Sequence, residues 1–177
     1  MALILPVRGK HPEIDPTCWL APNATLVGEV RMGPGGSVWF NAVVRGDVHF
    51  IEIGHSVNIQ DQAVIHCTYQ KAPTRIGNEV SIGHSAIVHG CTLHDRVLVG
   101  MGAIVMDGCE VYSGSLIAAG AVLTQNTVVP AGTLWAGVPA RQIKEVDPAL
   151  FEGEVMRIAR NYALYADWFR NPEAHRE

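Results

Sequence analysis

The chain has little charge, few aromatic residues and no closely spaced cysteines. Of its 177 residues 17% are charged and 7% aromatic, and the formal net charge is −4. Lysine and arginine are scattered without a polybasic run, which argues against nucleic acid or an anionic membrane as a partner. The opening "MALILPVRGK" has a short apolar run broken by Pro6, with no basic n-region and no small-residue cleavage site. That is too short to span a bilayer and unlike a secretory signal, so the expected location is cytoplasmic. Cys18, Cys67, Cys91 and Cys109 form no C-x-x-C pair, which disfavours a thiolate zinc site or a redox motif; four reduced thiols are expected. What remains is a chain of 48% apolar content, enough for one domain over 1–177 with a sizeable core.

The apolar residues recur with period six. From Leu93 the steps reach Val99, Val105, Val111, Ile117, Leu123, Val129 and Trp135, and four residues after each stands a mostly small residue, from Val97 to Pro139. A helix needs period 3.6 and a strand period 2, so neither accounts for six. A parallel β-helix does, each unit being a short strand plus a corner and three units one triangular coil. The frame runs back through Val27, Gly33, Trp39, Arg45 and Ile51, then through Ile53, Ile59, Ile65, Ile76, Ile82 and Val88. Its slips place two extra residues before Ile53, a loop at "KAPTR", and one residue missing before Leu93. The solenoid is expected over about 12–140. Asp147-Pro148 then caps a C-terminal helix over 147–170, packed alongside, with Gly153 its weak point.

Within this frame Val88 returns to the face of Ile65 one coil higher. His66 and His89 each follow an inward aliphatic by one residue, so they stack outward on adjacent coils about 4.8 Å apart. Two imidazoles so placed can share a zinc. His84, two residues past Ile82, falls at the opposite edge of the face. Only a neighbouring subunit brings it to the other two, and a cyclic homotrimer does so at three equivalent contacts. Arg45 sits where the frame expects an aliphatic, and Asp61 occupies the corner below His84, flanked by Asn58 and Gln60; an Arg45–Asp61 ion pair across the subunit contact is expected.

Together "VVRGDV", "NIQD", His66, "IGHSAIVHG" and "AGVPA" resemble the gamma-class carbonic anhydrase family over about residues 12–170. The resemblance implies an all-β fold, a left-handed parallel β-helix of hexapeptide repeats, in homotrimers with zinc or another divalent metal such as iron or cobalt between subunits. It implies His66 and His89 as ligands from one chain and His84 from the next. It further implies that a metal-bound hydroxide attacks carbon dioxide to give bicarbonate. Gln60 would orient hydroxide or substrate, Arg45, Asp61 and Asn58 would hold the interface network, and Tyr162 matches a family tyrosine near the metal. The family's acidic proton-relay positions read "DVHF" and "CTYQKAPTRIG" here, without glutamate. Hexapeptide acyltransferases share the repeat and "AGVPA". An acyl-CoA transferase or thioesterase is therefore an alternative, as is a metal-binding trimer with little or no hydration activity.

Overall fold

The computed structural model describes residues 1–175. Short strands recur every six residues or so and pair in parallel with the strand one coil away, forming a left-handed parallel β-helix. The aliphatic residue of each unit points inward. Along one face Leu26, Val44, Ile65, Val88, Val105 and Leu123 are stacked in register and all fully buried. Each such side chain contributes about 1.5–3 kcal/mol by leaving water, which makes the column, rather than any single contact, the source of the prism's rigidity.

Strand pairing begins at Leu3–Leu5, which lies on Thr25–Val27, and ends in the antiparallel hairpin Thr133–Gly137/Ala140–Glu145. It therefore reaches further at both ends than the hexapeptide pattern alone indicates. Before Ile53 the inward column is Leu26, Met32, Val38 and Val44, one residue earlier than the frame read from sequence. Trp39 is apolar for another reason: its ring faces outward beneath the terminal helix, 5.1 Å from Tyr162 and 5.8 Å from Phe169. Arg45 accordingly points to solvent, with 44% of its side chain exposed. The phase slip is a bulge in strand Val43–Ile53: Gly46 pairs with Gly28 and Ile51 with Val30, so Asp47–Phe50 face the single residue Glu29. The ejected loop turns at Tyr69–Lys71 and is closed by a Thr68–Ala72 bridge, while Thr74–Ile76, read from sequence as partly loop, is strand.

Asp147 caps the helix, its Oδ1 accepting from the Ala149 N–H at 2.8 Å. The segment is helical over Pro148–Leu150, loosens to a π turn over Phe151–Val155 that contains Gly153, and continues as α-helix Met156–Arg170. No helix among the described residues is long and apolar enough to cross a membrane.

The outward columns distinguish the three faces. One reads Glu13, Arg31, Glu52, Arg75, Thr92, Glu110, Val128 in register, a ladder of alternating charge suited to water. A second carries Leu98 and Leu116, covered by Phe151, Val155 and Met156 of the C-terminal helical segment. The third reads Thr25, Val43, Val64, Ile87, Ile104, Val122. It is apolar and outward, with Ile87 exposed, and among the described residues no helix packs on it.

Candidate metal centre

His66 and His89 end strands Val64–His66 and Ile87–His89 on that bare apolar face, and the two residues are register partners. His66 Nδ1 lies 3.0 Å from His89 Nε2. The far side of each ring meets a carboxylate: His66 Nε2 is 3.1 Å from Asp47 Oδ1, and His89 Nδ1 is 2.5 Å from Asp107 Oδ1. Asp47 comes from the bulge and is also paired with Arg45 at 2.5 Å, while Asp107 accepts from Thr68 Oγ1 at 2.5 Å.

These three contacts do not balance in protons. Burial raises the Asp47 carboxyl, but hydrogen bonds from His66 and Arg45 outweigh it and hold the group below its usual value. Burial likewise opposes Asp107, and the bonds from Thr68 and His89 prevail. Both carboxylates are therefore acceptors only, and two neutral imidazoles bring one N–H each. With each N–H turned to its carboxylate, two lone pairs face each other across 3.0 Å. A third proton fits poorly, because burial lowers the His66 pKa and the charges of Arg45 and His89 add to that, outweighing the Asp47 hydrogen bond. A metal cation held by the two rings would satisfy both lone pairs, with the carboxylates orienting the imidazoles from behind.

His84 stands at the corner where the chain turns onto the same face, the turn being closed by Ser85 at φ +59°. Its Nδ1 is 2.9 Å from Asp61 Oδ2 and its Nε2 is 3.2 Å from the Tyr162 hydroxyl. Asp61 also accepts from the Phe40 N–H at 3.3 Å. Burial, reinforced by the Asp61 charge, raises the Tyr162 phenol to about 12. Gln60 is buried beside this corner; its Nε2 donates to Asn58 Oδ1 at 3.0 Å and Asn58 Nδ2 donates to Ser81 Oγ at 2.8 Å, which fixes both amides. A cleft of about 360 Å³, lined among others by Gln60, His84, Leu98, Met101, Ile158 and Tyr162, opens between the helix and the prism.

The chain thus brings His66 to His89, and His84 to Asp61 and Tyr162, but leaves the two groups at opposite edges of one face. Among the described residues no three donors of one chain converge as a metal site. Within the chain Arg45 pairs with Asp47 and Asp61 with His84, so each charge of the expected Arg45–Asp61 pair already has an intrachain partner.

Known proteins share this chain's sequence and shape. No protein-family model matches. A "Probable carbonic anhydrase" of Methanocaldococcus jannaschii is 50% identical over 157 residues, covering 89% of this chain and 96% of that protein. "Gamma carbonic anhydrase 1, mitochondrial" of Arabidopsis thaliana is 38% identical over 169 residues, covering 93% of this chain. The chain belongs to the gamma carbonic anhydrase family. It spans 60% of the Arabidopsis relative's length. A solved structure described as a hexapeptide transferase family protein from Anaplasma phagocytophilum superposes with a TM-score of 0.88 at 40% identity, over 93% of this chain and 96% of the other.

Two residues of this candidate centre, Asp47 and Asp107, escaped the sequence reading. A signal for Asp107 was present: one coil above Gly90, the residue after His89, the register reaches Asp107. Gly90 has φ +55°, and a Cβ there would stand 2.4 Å from Asp107 Oδ1 and 2.9 Å from Ala72 Cβ. The missing side chain is the space in which the carboxylate reaches His89. Gly90→Ala is expected to cost about 1–3 kcal/mol from the left-handed backbone alone, lowering the thermal midpoint by roughly 2–10 °C. An unchanged midpoint in thermal unfolding would contradict this.

Proposed function

We propose that three copies of the chain close into a ring holding zinc at each subunit contact, by His66 and His89 of one chain and His84 of the next, and that the protein reversibly hydrates carbon dioxide to bicarbonate. The observation that carries this reading is the set of three imidazoles, each with one ring nitrogen within 3.1 Å of a carboxylate oxygen, at the two edges of the bare apolar face. Joining one edge to the other edge of a neighbour completes a three-histidine site and covers that face at once.

Zinc with three imidazole ligands retains a position for water and lowers its pKa to about 7, supplying hydroxide at neutral pH. The chain's residues do the rest. Asp47, Asp61 and Asp107 hold the rings in the ligand tautomer. Gln60, its amide nitrogen committed to Asn58, presents its carbonyl oxygen as an acceptor that orients the nucleophile's proton. Arg45 steadies Asp47 and Asn58 steadies Gln60. The cleft beside His84, walled in part by Leu98, Met101 and Ile158, admits a small apolar substrate. The loop after His66 carries no glutamate, so the proton released in each turnover passes to buffer.

Stopped-flow hydration assays test the reading. The zinc-loaded protein should exceed the uncatalysed rate, rise with buffer concentration, and fall to background in His66→Ala. Wild-type protein at the uncatalysed rate in every metal form would refute it. The likeness to a structure described as a hexapeptide transferase family protein favours a second reading, acyl transfer with CoA in the groove between subunits. It predicts tight CoA binding and activity that survives His66→Ala.

A further inference from the structure

The surroundings of His84 carry an inference that rests on the reading of this residue as a metal ligand. Asp61 Oδ2 lies 2.9 Å from His84 Nδ1. A carboxylate only accepts, so a neutral His84 ring facing Asp61 keeps its proton on Nδ1 and its lone pair on Nε2. The Tyr162 hydroxyl lies 3.2 Å from that Nε2. One nitrogen lone pair can accept a hydrogen bond or bind a metal, but not both. We propose that Tyr162 caps His84 in the metal-free chain, and that zinc loading requires the hydroxyl to leave Nε2, so that the terminal helix tunes how readily the third ligand is offered.

The helix is built to hold this cap. Tyr162 packs edge-on against Trp39, with ring centroids 5.1 Å apart, and against Tyr165 at 5.6 Å. Trp39 in turn lies under Phe169 of the same helix, at 5.8 Å. Packing holds the ring beside His84, and the hydroxyl contact with Nε2 is what metal must displace, by a shift of either ring. Removing the hydroxyl and keeping the ring separates the two roles.

The test is Tyr162→Phe, with zinc affinity measured by competition against a chromogenic chelator. Losing a hydrogen bond that opposes loading should tighten zinc binding by about three- to tenfold. In nitrogen-15 NMR spectra of the metal-free wild type, His84 should be the Nδ1–H tautomer, and the Nε2 resonance of His84 should move in Tyr162→Phe while those of His66 and His89 stay. Equal or weaker zinc affinity in the variant, or a proton on Nε2 of His84, would overturn the cap while leaving the metal site standing. A wild type that takes up no zinc overturns both.

Discussion

Ile87→Glu should convert the assembled protein to monomers and strip it of zinc. If the corner of His84 meets the edge of His66 and His89 in the next chain, three prisms close with the bare apolar face of each turned toward the threefold axis. Ile87 is the middle of that face's outward column, with Val64 below and Ile104 above, and is 37% exposed in the single chain. Glutamate there places three carboxylates around one axis without cationic partners. Desolvation of an unpaired charge costs several kcal/mol, enough to weaken association by about a thousandfold or more. Each centre then loses its third ligand, so zinc leaves with the neighbour. Sedimentation velocity and metal analysis read both effects. Thr92→Glu, on the charged ladder of another face, should leave the assembly intact. An Ile87→Glu protein that remains a zinc-loaded trimer would show that this face is not the interface.

Why part of this centre was legible in sequence, and part not, follows from the solenoid. Between His66 and His89 the six-residue frame is interrupted by the loop at "KAPTR", and once that insertion is set aside Val88 does return to Ile65, so the pairing of the two histidines follows by counting. His84 was separable from His89 by the same count, though the residues are five apart. Upstream, period six offered two candidates per strand, because a strand covered by the helix is apolar on both sides. Trp39 was read as inward in place of Val38, and that error carried Arg45 into the core column that Val44 occupies. Asp47 was hidden by the bulge: the frame registered a slip before Ile53, but not that four residues there stand against Glu29 and turn Asp47 toward His66. The three histidines were thus readable as positions, whereas their carboxylate partners required knowing which coil lies above and where the strand bends.

The central claim is that each centre is divided between chains, and mixing two disabled variants tests it most directly. His84→Ala and His89→Ala subunits, each expected to bind no zinc with full affinity alone, are unfolded together at equal amounts and reassembled. An intact centre then needs His66 and His89 from a His84→Ala chain beside His84 from a His89→Ala chain. Random assembly supplies this at about a quarter of the contacts. Zinc uptake and hydration activity should therefore recover to about a quarter of the wild-type level. If all ligands of a centre came from one chain, the mixture would bind no more zinc than the two variants apart, and the account would be wrong.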